Sequence, residues 1–246
     1  MRPLEDSLAN SYAWIAAGVL AVLAGNCLAG SYFTTFTNSE ALLSEEGRWI
    51  NGNAGLEWSN CFTAGGVVHG RQNNGAGPSY NDSTALLAGS WGSTQSVTVT
   101  LYKASVVESD YPEVEIRLRS SLSPHSCTGY EVTWSLRTDQ SCYVGITKWN
   151  GSFGDFTNVA TVYGSQYVVT NGSILSATAR GNVISAYVNG IRILTGIDNT
   201  FTTGSPGIGF DHNGPGSEDA GFGFTRFHAS DSLHKPAPPQ NLHVVH

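Results

Sequence analysis

Four charged residues alternate in one seven-residue stretch: Glu113, Glu115, Arg117 and Arg119, with Val114, Ile116 and Leu118 between them. Carboxylates accept hydrogen bonds from sugar hydroxyls, and guanidinium groups donate through a planar fork. Glu131, Thr133, Tyr143, Thr147, Trp149, Tyr187 and Asn189 take the polar phase of later alternating segments. Where those segments lie side by side, all these side chains share one surface. Rings that cover sugar C–H groups, set among acids, bases and amides that bond hydroxyls, suit a polysaccharide or glycoconjugate. Two arginines at i and i+2 also suit an anionic sugar.

The same groups open two other readings. Glycosidic cleavage needs two carboxyls at a fixed separation, and Glu115 with Glu131 is the pair the strands bring nearest. His125 and Tyr130 are the alternative base and acid. Acids and arginines on a strand can instead pair across the sheet and merely solvate it, as on a structural or adhesive module. A metal reading rests elsewhere: Asp211, Asn213, Glu218 and Asp219 crowd one glycine-rich loop, and oxygen donors of this kind suit Ca²⁺. No nucleophile elbow and no phosphate-binding glycine loop is present in the sequence.

The elements that must position these residues are strands. Side chains of a strand repeat every two residues, so Glu113–Arg119 has an apolar face and a charged face. The charged face has to meet solvent, a ligand or its own counter-charges, because an unpaired buried charge is costly. Val97, Val99 and Leu101 predict a second strand; Tyr130, Val132, Trp134 and Leu136 a third; Val144 and Ile146 a fourth. Pro124-His125-Ser126 and Thr138-Asp139-Gln140 mark the turns between them. Leu175, Ala177 and Ala179, then Ile184, Ala186 and Val188, predict a hairpin about Gly181-Asn182. Asn189-Gly190 is a strong signal for the next tight turn. Closing strands are expected near Gly207–Phe210 and Gly221–Phe227.

Residues 30 to 92 are less regular. Trp49, Ile50, Leu56 and Trp58 suggest two short strands about Asn51-Gly52-Asn53. Ser39–Glu46 suggests a short helix, and Arg71–Tyr80 a loop. Eight to ten short strands separated by turns describe an all-β, two-sheet antiparallel sandwich. The expected layout is an export signal or N-terminal anchor over residues 1–29, the sandwich over 30–232, and a Pro-rich tail or linker over 233–246.

Composition agrees with that layout. Across 246 residues, 29 are Gly and only 13% are charged, which fits a turn-rich extracellular β-protein. A net charge of −7 argues against a nucleic-acid partner, which calls for a basic patch. Trp14–Ala24 is an apolar run too short to span a bilayer comfortably, and Cys27-Leu28-Ala29 permits cleavage near Ala29. The chain is therefore expected to be secreted or at the cell surface, with no membrane contact beyond a possible anchor. Cys27 also admits lipidation. Cys61, Cys127 and Cys142 remain after cleavage: one disulfide and a spare thiol, or three small buried hydrophobes.

Gly172-Ser-Ile-Leu-Ser-Ala-Thr-Ala-Arg-Gly-Asn-Val-Ile-Ser-Ala-Tyr-Val-Asn-Gly190 resembles the concanavalin A-like lectin/glucanase superfamily, in its laminin-G-like bacterial branch. Gly204-Ser-Pro-Gly-Ile-Gly-Phe210 and Gly221-Phe-Gly-Phe-Thr-Arg-Phe227 are similar to that family's closing strands. The resemblance implies a jelly roll of two curved sheets. It leaves activity open, because the fold carries lectins, glycosidases, lyases and passive modules. The family's glucanases carry Glu-x-Asp-x-x-Glu on one strand; here Arg117 follows Glu113-x-Glu115 and the third acid is missing. Its alginate-type lyases carry Arg-x-Glu-Leu-Arg, and Glu113 stands where the leading Arg would be.

Overall fold

A computed structural model describes residues 30–52, 58–70, 82–106, 108–212 and 221–231. The expected export signal, the Arg71–Tyr80 loop, Leu56, Asn213, Glu218, Asp219 and the Pro-rich tail lie outside the described residues. In chain order the first strands are β1 (Ser31–Thr34), β2 (Trp49–Asn51), β3 (Trp58–Ser59), β4 (Cys61–Ala64), β5 (Val67–Gly70) and β6 (Asp82–Leu87). The long strands follow: β7 (Gln95–Lys103), β8 (Glu113–Ser123), β9 (Ser126–Ser135), β10 (Tyr143–Gly151) and β11 (Phe156–Tyr163). The last five are β12 (Ile174–Arg180), β13 (Val183–Val188), β14 (Ile191–Ile197), β15 (Ser205–Asp211) and β16 (Phe222–Ser230).

They form two sheets. The front sheet runs β11-β10-β9-β8-β15-β6-β2, with β3 added parallel to β6. The back sheet runs β14-β13-β12-β7-β16-β5-β4, with β1 also paired to β16. The all-β jelly-roll sandwich expected from the sequence is the fold observed. Val114, Ile116 and Leu118 are fully buried and meet Val97, Val99, Leu175 and Ala177 of the back sheet in one core. Each such aliphatic side chain contributes roughly 1.5–3 kcal/mol by leaving water. Asn189 and Gly190 both take positive φ, 50° and 80°, as a tight primed turn between β13 and β14 requires.

Four expectations need correction. Ser39–Glu46 is not helical: Glu40 bridges to Thr63, and Glu45 and Glu46 take positive φ. β2 and β3 do not pair with each other; both pair with β6. Of the two cysteine alternatives the disulfide is the one corrected: Cys61, Cys127 and Cys142 are the three buried thiols of the other, with burial pushing Cys127 up to about 12. Cys142 precedes β10 and Cys127 faces Gly151 at the opposite end of that strand, so the two are far apart. The fourth concerns Tyr187 and Asn189: β13 belongs to the back sheet, so neither shares a surface with Glu115.

β8 itself breaks its alternation after Leu118. Leu118 faces Tyr130 and Ser121 faces Thr128, so Arg119 and Ser120 together oppose Gly129 in a β-bulge. Arg119 has φ 49° there. Two glycines make room: a Cβ at Gly129 would lie 2.4 Å from Ser120 Oγ, and one at Gly204 would lie 2.4 Å from the Arg119 carbonyl carbon. The bulge aims Arg119 away from the other charged residues of its strand.

Candidate functional site

The outer face of the front sheet is organised about Arg117. Its Nη2 donates to Asp82 Oδ1 at 2.7 Å, to Asp82 Oδ2 at 2.8 Å and to Thr84 Oγ1 at 3.1 Å. The same nitrogen lies 2.6 Å from Glu115 Oε2, and Nη1 lies 2.7 Å from Glu131 Oε2. The last two are close charge contacts without hydrogen-bond geometry: among the described residues Glu115 Oε2 and Arg117 Nη1 have no hydrogen-bond partner. Trp58 and Trp149 roof the guanidinium, their ring centroids 5.4 and 5.8 Å from Cζ. Such stacking favours a cation over an aromatic face.

Glycine makes the Asp82 contact possible. Arg117 and Asp82 are separated by β15, whose Gly207 pairs with Arg117 and whose Gly209 pairs with Glu115. A Cβ at Gly209 would lie 2.2 Å from Glu115 Oε2 and 3.1 Å from Arg117 Nε. Side chains of β8 cross this bare stretch of backbone to reach β6.

Beside this cluster the sheet holds a cavity of about 410 Å³. Five carboxyl groups line it: Asp82, Glu113, Glu115, Glu131 and Asp211. Tyr143, Trp149, Phe153, Phe156 and Tyr163 form aromatic walls. Trp149 Nε1 and Thr133 Oγ1 both donate to Glu131. Tyr143 donates its hydroxyl proton to Glu113, which faces Asp211 in register across β8 and β15.

So many acids around one cation shift one another. Burial raises the Asp82 pKa to about 6, the Arg117 charge opposing and the Glu131 charge adding to it. Burial also drives Glu115 well above the usual carboxylate range, against Arg117 and helped by Asp82 and Glu131. Glu113 is held well above that range by burial and by Asp211. Burial alone would lower Arg117, but Asp82, Glu115 and Glu131 outweigh it and keep the guanidinium charged. Oxygens of Asp82, Glu115 and Glu131 lie within 4.8 Å of one another, a donor set of the size a metal takes. The guanidinium stands among them already, so the triad does not fit an ion while Arg117 is there.

The structure thus brings together Glu113, Glu115, Arg117, Glu131, Thr133, Tyr143, Thr147 and Trp149, as the alternation implies. Asp211 joins them as a wall of the cavity. Arg119 does not: its guanidinium donates to the carbonyls of Ser93, Gly181 and Phe201 at 2.7, 2.9 and 3.1 Å, across the end of the sandwich. His125 is exposed at the tip of the β8–β9 hairpin, six residues along β9 from Glu131, or roughly 20 Å at strand rise. Tyr130 is buried in the core and donates to Asp198 at 2.6 Å. Neither reaches Glu115.

Asp82, Trp58, Phe153, Phe156 and Tyr163 escaped the sequence reading. No strand was expected over β11, and its alternation is itself broken by a register shift opposite Ile146 and Thr147. Phe156 and Asn158 line the cavity two apart, then Thr161 and Tyr163 line it in the other phase. Gly207-Ile-Gly209 was the available sign that something crosses β15.

No family model and no curated protein matches the sequence. Solved structures do. The carbohydrate-binding module CBM66 from Bacillus subtilis superposes with a TM-score of 0.51 at 14% identity, over 77% of this chain and 96% of that one. The carbohydrate recognition domain of Emp46p gives 0.52 at 12% identity, over 82% and 100%. An endo-acting O-glycanase of the human gut microbiota gives 0.50 at 12%, over 81% and 98%. These likenesses show the fold, the concanavalin A-like jelly roll.

Proposed function

We propose that this protein is a carbohydrate-binding domain that takes a glycan into the front-sheet cavity. One observation carries the reading: a cavity with a carboxyl floor whose outer walls are aromatic side chains left in water. Phe156 is 54% exposed and Tyr163 63% exposed, each touching one wall ring, Trp149 and Tyr143, with over half of its surface still in water. Flat apolar walls beside convergent hydrogen-bonding groups suit a sugar ring. The folds of CBM66 and the Emp46p domain lend support by analogy. Acid–arginine pairing occupies the middle of the face but leaves the groove, which weighs against a purely structural module. The expected result is that Phe156→Ala and Tyr163→Ala each lower glycan affinity about tenfold, a loss of ~1.4 kcal/mol, with Tm unchanged. Isothermal titration against a glycan found by array reads it; unchanged affinity in both variants refutes the site.

A second reading is favoured by Glu113. Desolvation and the neighbouring Asp211 raise the Glu113 carboxyl, the direction a general acid in glycoside hydrolysis needs. It predicts new reducing ends from a polysaccharide panel, lost in Glu113→Gln. A lyase finds less support, since His125 and Tyr130 are remote from the acids. Export belongs to the same proposal, supported by Trp14–Ala24 and Cys27-Leu28-Ala29. N-terminal sequencing of secreted protein is expected to begin near Gly30.

A further inference from the structure

We infer that the glycan held in the front-sheet cavity carries free ammonium groups: it is an amino sugar polymer or oligomer, in place of the anionic sugar that two neighbouring arginines suggest. This rests on the glycan-binding reading and narrows it to a substrate class.

The charge inventory points that way. Five carboxyl groups line the cavity, and among its lining residues there is no Lys, Arg or His. The cation nearest to them, Arg117, lies behind the floor, buried, with Asp82, Glu115 and Glu131 around it. Arg119, the other arginine of the strand, has left the face at the bulge. A uronate, sulfate or sialate entering here meets only acidic groups, with no donor fork to receive it.

Two independent features attract a cation. The first is incomplete acceptor pairing: Glu115 lines the cavity, and its buried Oε2, although 2.6 Å from Arg117 Nη2, makes no aligned hydrogen bond. An ammonium offers three donors and can be placed by the ligand where the alignment is good. The second is the walls. Trp149, Phe156 and Tyr163 line the cavity, and aromatic rings favour cations as well as sugar C–H groups. A hydroxyl offers the acid one proton; an ammonium offers three, with a charge that the rings also favour.

The test uses the purified full chain and three oligosaccharides of equal length: glucosamine oligomers, their fully N-acetylated counterparts, and oligogalacturonate. Glucosamine oligomers are expected to bind at least about tenfold more tightly than the acetylated series, with oligogalacturonate not binding and added salt eroding the preference. Glu113→Gln and Asp211→Asn are expected to narrow the preference, while Tyr163→Ala weakens both series. Equal binding of the amine and acetylated oligomers, or tighter binding of oligogalacturonate, overturns the inference and leaves glycan binding standing. Binding of none of the three, nor of any arrayed glycan, overturns both. Calcium ions alone raising Tm, with chelator abolishing sugar binding, also overturns it, because the acids then serve a divalent cation.

Discussion

The outer faces of the two sheets start from the same odd–even alternation and end differently. On the back sheet the outward residues of β7, β12 and β13 are mostly small alcohols: Thr98 and Ser176 bond at 3.0 Å, Ser185 and Thr195 at 3.3 Å. Such groups exchange one neutral hydrogen bond for another and need no cover. On the front sheet the outward residues of β8 and β9 include Glu115, Arg117 and Glu131, charged and buried. A charge set that dense has to be compensated internally, so the front face acquired a guanidinium at its centre, a tryptophan roof and glycines in the neighbouring strand. The lesson is that charge on a sheet face organises its surroundings, whereas hydroxyls do not.

The sharpest way to break the comparison is Arg117→Met. It leaves Asp82, Glu115 and Glu131 with no cation among them, and removing one partner of a buried ion cluster costs about 3–5 kcal/mol. Urea denaturation is expected to show that loss or a failure to fold; a variant as stable as the parent would mean the acids were neutral all along.

Next comes pH. The Asp82 proton is held with a pKa of about 6 in the folded chain against ~3.9 when unfolded. The folded state therefore binds more protons between those values, and stability falls as pH rises through that window. Glu115 and Glu113, also raised, carry the decline further. Asp139 and Asp198 are shifted down, so what they contribute is lost only in more acidic solution. Tm is thus expected to be lower at pH 8 than at pH 5, with Glu115→Gln flattening the slope. A Tm that rises over this range contradicts the assignment.

The smallest effect is expected on the back sheet. Tyr187→Ala should leave glycan affinity unchanged in titration and stability within about 0.5 kcal/mol. A loss of binding there would mean that the wrong sheet carries the site.

Much of the front face was legible because strand periodicity is local. Val114, Ile116 and Leu118 announce the inward phase of β8, and Glu113, Glu115 and Arg117 follow as the outward one. Arg119 was misplaced because one bulged residue inverts the phase, and that bulge depends on Gly129 and Gly204 from elsewhere in the chain. Phe156 and Tyr163 were missed because β11 was not read as a strand, its alternation being broken by a slip of the same kind. Tyr187 was read onto the wrong surface because a hairpin signal says which strands pair and is silent about which sheet they enter.

The amino-acid order alone determined the strands, most of their turns and the division of greasy from polar side chains, since each depends on a few neighbouring residues. Only the folded chain decided that three acids from β6, β8 and β9 converge on one arginine, and that a cavity opens beside them. Those contacts join residues as far apart as Asp82 and Glu131 through the geometry of a sheet whose strand order is not the chain order.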